Sequence, residues 1–294
     1  MARAGGENFP VAMRLLSPRH RRALLAVYGF ARLADVLGDE LRGDRLAALD
    51  WLEAELDRAY AEGAPAVSSG ERPANALLLA LRHAVTECGL PREPFARLIE
   101  ANRLDQRVAR YETWEQLQAY CRLSANPVGE LVLAIFGLHT PERVALSDSV
   151  CTGLQLTEHL QDVGEDLARG RIYLPTEDLE RFGCSHERLA ALVPGTRSSL
   201  REAVAFELAR ASELLWAGAP LAASVPERRP KLAIAAFAAG GLAALDRIER
   251  AGCEVLGGVA PASRLERARW TARILRSSRR AVPVAGAHRL RDSP

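Results

Sequence analysis

The stretch RRALLAVYGFARLADVLGDELRG, residues 21–43, is apolar almost all the way round a helix. Leu24, Leu25, Val27, Phe30, Leu33, Val36 and Leu37 spread over every face at 3.6 residues per turn. A helix of that kind must be covered by other elements, so it belongs to the interior of a larger assembly. What surrounds it is helical too. Residues 76–89 (ALLLALRHAVTECG) and 115–138 (EQLQAYCRLSANPVGELVLAIFGL) repeat apolar residues at spacings of three and four, with few turn formers. The alternating β-branched runs that mark strands are missing. Gly and Pro punctuate the chain at 62–73, 89–94, 192–196 and 224–230. Thr176 as N-cap, followed by Glu177 and Asp178 and closed by Gly183, predicts a short helix. No internal repeat, low-complexity linker or composition break divides the chain. The expectation is one all-α domain over residues 1–280, with a central cavity and a mobile tail at 281–294.

The 294 residues suffice for a large core, and 48% hydrophobic with 26% charged residues is ordinary for a globular protein. A net charge of +2 supplies no global field toward nucleic acid or a membrane. The longest near-apolar run, LAIAAFAAGGLAAL at 232–245, falls short of the roughly 20 residues that cross a bilayer. Its Ala and Gly content predicts a tightly packed interior helix instead. Cys88, Cys121, Cys151, Cys184 and Cys253 are scattered without metal spacing, which predicts reduced thiols and a cytoplasmic location. The first residues hold no apolar h-region, so no secretory signal is expected.

Against this background two sets of acids stand out. Asp35 and Asp39 lie one turn apart inside the apolar helix, with Arg32 about one turn upstream. Glu158, Asp162 and Asp166 recur at i, i+4 and i+8 within QLTEHLQDVGEDLARGRIYLP (155–175), on a polar stripe that also carries Gln155. Leu154, Leu156, Leu160 and Val163 form the apolar part of that helix. Like charges so placed cost roughly a few tenths of a kcal/mol per pair. A solvated surface stripe tolerates this, and that reading stands beside the sharper one of a carboxylate-lined cleft between helices. Such a cleft suits Mg²⁺, which takes one or two carboxylates, waters and phosphate oxygens. A diphosphate would complete the shell, with Arg32 and Arg171 as phosphate contacts. The metals would assist leaving-group ionisation, and an apolar cavity with aromatic faces would shelter a carbocation. A ferritin-like di-iron site needs Glu-x-x-His pairs, and the chain has none. Walker A, GxGxxG after a strand, HExxH and GxSxG are absent as well. His159 reads as a stripe neighbour of Glu158, not a ligand.

At these residues the chain resembles the squalene/phytoene synthase family of trans-isoprenyl diphosphate synthases. Asp35 and Asp39 match its first acidic motif, and Asp162 and Asp166 in QDVGEDLARGRIYLP match its second. The resemblance runs from about residue 7 to about residue 275. ENFPVAMRLL (7–16), YETWEQLQAYCRLSANPVGELVL (111–133) and LQLTEHLQDV (154–163) look most like the hopanoid-pathway branch, the hydroxysqualene synthases. The resemblance implies an all-α fold whose two acidic motifs face each other across a central cavity. It implies a Mg²⁺ cluster on Asp35, Asp39, Glu158, Asp162 and Asp166, with Tyr28, Arg32, Gln155, Arg171 and Tyr173 toward the substrate. Tyr120 matches a cavity tyrosine that handles the cationic or diphosphate end. Two places depart from the family pattern: Val36 stands for the second acid of Asp-Asp-x-x-Asp, and Glu158 stands where Asn is usual.

The implied reaction ionises presqualene diphosphate and lets water capture the cation, giving hydroxysqualene without a nicotinamide reductant. Two alternatives stay open. One is head-to-head condensation of two farnesyl diphosphates to presqualene diphosphate, squalene or dehydrosqualene. The other is a non-catalytic helical assembly protein on the same fold. The implied partners are an isoprenoid diphosphate and neighbouring pathway enzymes, with no nucleic acid. The apolar product further implies peripheral contact with the inner face of a membrane.

Overall fold

Ser17 opens the first helix by accepting a hydrogen bond on its Oγ from the His20 N–H at 3.2 Å, with Pro18 filling the first helical position. Helix α1 runs Pro18–Asp35 and continues as a single π-helical turn, Val36–Glu40. The computed structural model describes residues 16–61, 76–191, 193 and 195–280. The expected tail at 281–294 and residues 7–15 of the family resemblance lie outside the described residues. The apolar run at 21–43 stops being helical earlier than its pattern implies, because Leu41 is extended at ψ 130°.

Twelve further α-helices follow among the described residues: α2 (Arg45–Tyr60), α3 (Ala76–Cys88), α4 (Glu93–Leu104), α5 (Trp114–Ser124), α6 (Asn126–Ile135), α7 (Pro141–Ala168), α8 (Thr176–Arg181), α9 (His186–Ala190), α10 (Thr196–Gly218), α11 (Pro220–Ser224), α12 (Arg228–Arg250) and α13 (Arg264–Arg280). The continuous pattern at 115–138 divides at Ala125, where Pro127 starts a new helix in the one turn that needs no N–H from it. Thr176 is not a cap. Pro175 holds that position, and Thr176 is the first helical residue, its Oγ1 donating to the Tyr111 carbonyl at 3.3 Å. The one β-type pairing among the described residues is a parallel bridge between Arg110 and Ile172.

The long helix α7 is the axis, with α6, α10 and α12 packed against it. Its approach to the end of α10 depends on Gly218. A Cβ there would sit 2.4 Å from Val150 Cγ2 and 2.6 Å from the Leu146 carbonyl oxygen. The Ala/Gly run at 232–245 is buried inside α12, as its composition predicts, with Ala233, Ala239, Ala243 and Leu245 in the core. All five cysteines are free thiols. No described helix is long and apolar enough to cross a membrane.

Candidate active site

Helices α1 and α7 bring Asp35 of one acid set and Glu158 and Asp162 of the other to one cavity of about 980 Å³. On α1, Leu24, Val27, Tyr28, Ala31, Arg32 and Asp35 line it at helical spacing. On α7, Leu154, Thr157, Glu158, Gln161, Asp162 and Glu165 do the same. Val128 and Val132 of α6 and Phe237, Gly240, Gly241 and Ala244 of α12 supply apolar wall. Tyr28 stands at the mouth, 46% exposed. The solvated-stripe reading therefore fails for Asp35, Glu158 and Asp162.

Burial in these walls sets the electrostatics. Removal from water raises the Glu158 carboxyl to about 7, and the nearby charges of Asp162 and Asp35 push the same way. Asp166 is raised to about 6 by burial and by Asp162. Burial also raises Asp162 and Asp35, the latter against a hydrogen bond from Asn102 Nδ2 at 3.5 Å. Among the described residues none of these four carboxylates sits in an ion pair. The guanidinium of Arg32 is turned to Glu40 at 2.6 Å.

A group of oxygen donors without an ion-pair partner among the described residues is the donor chemistry that a hard divalent cation needs. Among the described residues, however, no three His, Cys, Asp or Glu side chains converge into a ready-made cage. That arrangement fits Mg²⁺ held by one or two carboxylates together with a ligand's own oxygens.

The raised carboxyls have a consequence for stability. A group whose folded pKa lies above its unfolded value stabilises the fold while protonated, and that contribution is lost as pH rises through the folded pKa. For Asp166 and Glu158 the loss begins near the ordinary carboxyl range of about 4 and is complete once pH passes about 6 and about 7 respectively. The melting temperature without Mg²⁺ should therefore fall by several degrees between pH 6 and pH 8, and Glu158→Gln should flatten the fall. His159 has the opposite sign. Burial lowers its pKa to about 3, so its neutral form begins to cost stability only below about 6.5. Scanning fluorimetry across this range checks the prediction, and equal slopes for wild type and Glu158→Gln would refute it.

The remaining sequence-predicted residues do not line the cavity. They form an adjoining polar and aromatic cluster. Arg171 Nη1 lies 3.3 Å from Asp39 Oδ1 and 3.4 Å from the Tyr173 hydroxyl. Tyr173 stacks on His159 at 4.3 Å between ring centroids, and Tyr120 and Tyr111 complete the ring group. Tyr120 is thus no wall of the main cavity. It is buried, and its hydroxyl donates to Asp105 Oδ2 at 2.8 Å. Gln155, expected on the polar stripe and toward the substrate, is buried and pairs with His159 Nε2 at 3.3 Å. His159 is therefore a member of the aromatic cluster and not a solvated neighbour of Glu158.

Asp105 is the functional candidate that the sequence pattern did not expose. Burial and the charge of Asp39 raise its carboxyl to about 7, against the Tyr120 hydrogen bond, and its Oδ1 is buried with no hydrogen-bond partner among the described residues. One signal was available: Phe95, Leu98, Ile99 and Asn102 share the buried face of α4, so Asn102 is a polar residue at a core position, one turn before Asp105.

A backbone strap closes one side of the cavity. Val255, Leu256, Gly257, Gly258, Val259, Pro261 and Ala262, between α12 and α13, all line it. The strap seats on α7 at Gly164, between Asp162 and Asp166. A Cβ on Gly164 would lie 2.4 Å from the Leu256 carbonyl oxygen.

The squalene/phytoene synthase profile matches residues 2–273. The chain belongs to the squalene/phytoene synthase family. It is 38% identical to a hydroxysqualene synthase of Rhodopseudomonas palustris over 237 residues, 79% of this chain and 76% of that one. Over 194 residues it is 34% identical to phytoene synthase 1 of Solanum lycopersicum, covering 63% of this chain and 45% of that one. Among solved structures, the squalene synthase HpnC of Alicyclobacillus acidocaldarius matches with a TM-score of 0.76 at 44% identity, over 84% of this chain and 90% of that one. A ligand-bound dehydrosqualene synthase shares the fold at a TM-score of 0.79 and 24% identity, over 93% of this chain and 92% of that one. The all-α isoprenoid synthase fold is thereby established for this chain. Asp35 of its first acidic motif and Asp162 of its second line the cavity.

Proposed function

We propose that this squalene/phytoene synthase converts presqualene diphosphate and water to hydroxysqualene and diphosphate. The observation that carries the reading is the apposition of Asp35 with Glu158 and Asp162 at one side of a large apolar cavity. The hydroxysqualene synthase relatives at 38% identity support the choice of substrate. Asp35, Asp39, Glu158, Asp162 and Asp166 are the residues that would hold Mg²⁺. When bound, it supplies Lewis-acid assistance to the departing diphosphate. Arg32 and Arg171 would give the diphosphate charge-assisted hydrogen bonds, and Asp39 with Tyr173 fixes the direction of Arg171. Tyr28 and Phe237 offer aromatic faces to a cation within largely apolar walls.

The adjoining cluster holds its protons tightly: burial keeps the Tyr120 hydroxyl protonated far above the ordinary tyrosine range, so it donates to Asp105. Gln155 and Tyr120 then act as positioning residues for the substrate's polar end. A purely assembling protein would have no use for a group of carboxylates in a largely apolar wall. Release of a product this apolar favours work beside the inner face of a membrane, close to the enzymes before and after it in the pathway.

The test is product analysis by gas chromatography–mass spectrometry, with purified protein, Mg²⁺ and no nicotinamide cofactor. The expected result is hydroxysqualene from presqualene diphosphate, with farnesyl diphosphate inert. Presqualene diphosphate or a C30 hydrocarbon made from farnesyl diphosphate would move the assignment to head-to-head condensation. Failure of both substrates to turn over would favour the assembly role.

A further inference from the structure

Helix α13 carries seven arginines and a single acid, Glu266, in a chain whose net charge is only +2. Its inner side is anchored in the protein: Ile274 is fully buried, and Trp270 packs against Trp216 of α10 at 6.2 Å between ring centroids. Glu266 is turned to Arg247 and Arg250 of α12, at 3.7 and 3.0 Å. The outer side is built differently. Arg264, Leu265, Ala268, Arg269, Ala272, Arg273 and Arg276 are all exposed and follow one another around about half of the helix. No acid interrupts this face, and among the described residues no carboxylate pairs with its four arginines. Two alanines leave it shallow enough to lie on a flat surface, and Leu265, 60% exposed, projects from it.

Position decides what such a face is for. The strap that lines the cavity, with Gly257, Gly258 and Pro261 open to solvent, runs directly into the first turn of α13. The arginine face therefore begins where the exposed strap ends. A nucleic acid would complement the charge but would have no use for Leu265. A lipid bilayer with anionic headgroups complements both.

We propose that the outer face of α13 docks on an anionic bilayer surface, beside the exposed strap that walls the cavity. Because the apolar side of the helix is committed to the protein core, attachment is chiefly electrostatic, with Leu265 entering the headgroup layer. Each arginine near such a surface multiplies partitioning by roughly fivefold, and salt screens the effect.

Binding can be read without any substrate, so this inference and the proposed reaction fail separately. The full chain is floated with phosphatidylcholine vesicles, with and without phosphatidylglycerol, at low and high ionic strength. The expected result is at least a roughly tenfold preference for phosphatidylglycerol vesicles, abolished by high salt. The combined variant Arg264→Gln, Arg269→Gln, Arg273→Gln, Arg276→Gln should lose that preference, while replacement of the same four by Lys should keep it. Circular dichroism reports folding, and the pairs 264/269 and 273/276 can be changed separately if the fourfold Gln variant unfolds. Leu265→Ser should weaken vesicle binding severalfold without affecting binding to a short DNA duplex. Equal binding to both vesicle types, or wild-type binding by the fourfold Gln variant, would overturn the proposal. So would a DNA duplex that binds as tightly as the vesicles and strips the protein from them, which would mark a general polyanion surface.

Discussion

Asp162→Asn is expected to lower kcat/KM by about 10²–10³-fold with the helical circular dichroism spectrum unchanged, the scale seen when one preorganised electrostatic contributor is removed from a site. Asp162 occupies the junction of the molecule's two polar regions. It lines the cavity with Glu158, and its charge is also felt by Asp166 on the side of the aromatic cluster. Replacing the carboxylate by an amide keeps the shape and removes one negative charge from a group of half-buried acids, so the fold should lose nothing. The substitution should also weaken the stabilisation that Mg²⁺ and inorganic diphosphate together confer in a melting experiment. Asp246→Asn, which breaks a 2.6 Å ion pair with Arg250 at the far end of α12, is the matching control and should leave the rate within about twofold. A wild-type rate in Asp162→Asn would remove the carboxylate-centred site as an account of this enzyme.

The second large effect is expected at a residue with no side chain to contribute. Gly164→Ala places a methyl 2.4 Å from the Leu256 carbonyl oxygen, and that neighbour is backbone, which cannot rotate out of the way. Either the strap lifts from α7 or the helix shifts under it. Overpacking of this kind costs about 1–3 kcal/mol, which corresponds to roughly 2–12 °C in melting temperature for a chain of this size. Because the strap lines the cavity next to Asp162, turnover should fall by more than stability alone explains, roughly tenfold at a temperature where the variant is fully folded. Gly257→Ala provides the contrast: it lies in the same strap but has open space around its Cα, so its melting temperature should match wild type. Equal melting curves and rates for wild type and Gly164→Ala would mean that the strap does not need its seat.

These two residues also mark how far the sequence could be read. The helical fold and the paired acids were legible because four-residue spacing in an apolar context constrains both structure and burial. Which side of the acid stripe faces the cavity was not. Eight residues along α7 turn the helix by about 80° beyond whole turns, enough to carry Asp166 away from the wall that Glu158 lines. Gln155 and His159 fall on the same turned side, which is why both are buried among tyrosines. Tyr120 and Asp105 come from separate helices, and nothing in their local sequence spacing announces that they meet. Gly164 looks like a mere gap between acids until the strap from beyond α12 is seen resting on it.

The π-helical turn at Val36–Glu40 has a consequence of its own. Its Leu41 N–H bonds back five residues, to the Val36 carbonyl at 3.0 Å, where an α turn would reach back four. The extra residue changes the phase between the two acids that flank it, so Asp35 serves the cavity wall while Asp39 serves Arg171 in the neighbouring cluster. One short segment thereby supplies a carboxylate to the cavity wall and another to the adjoining cluster. Removing a single residue from this turn would leave nearly the same letters in the motif, yet it would rotate Glu40 toward the place of Asp39 and give Arg171 a different partner. The first acidic motif is thus specified by a length as well as by its acids.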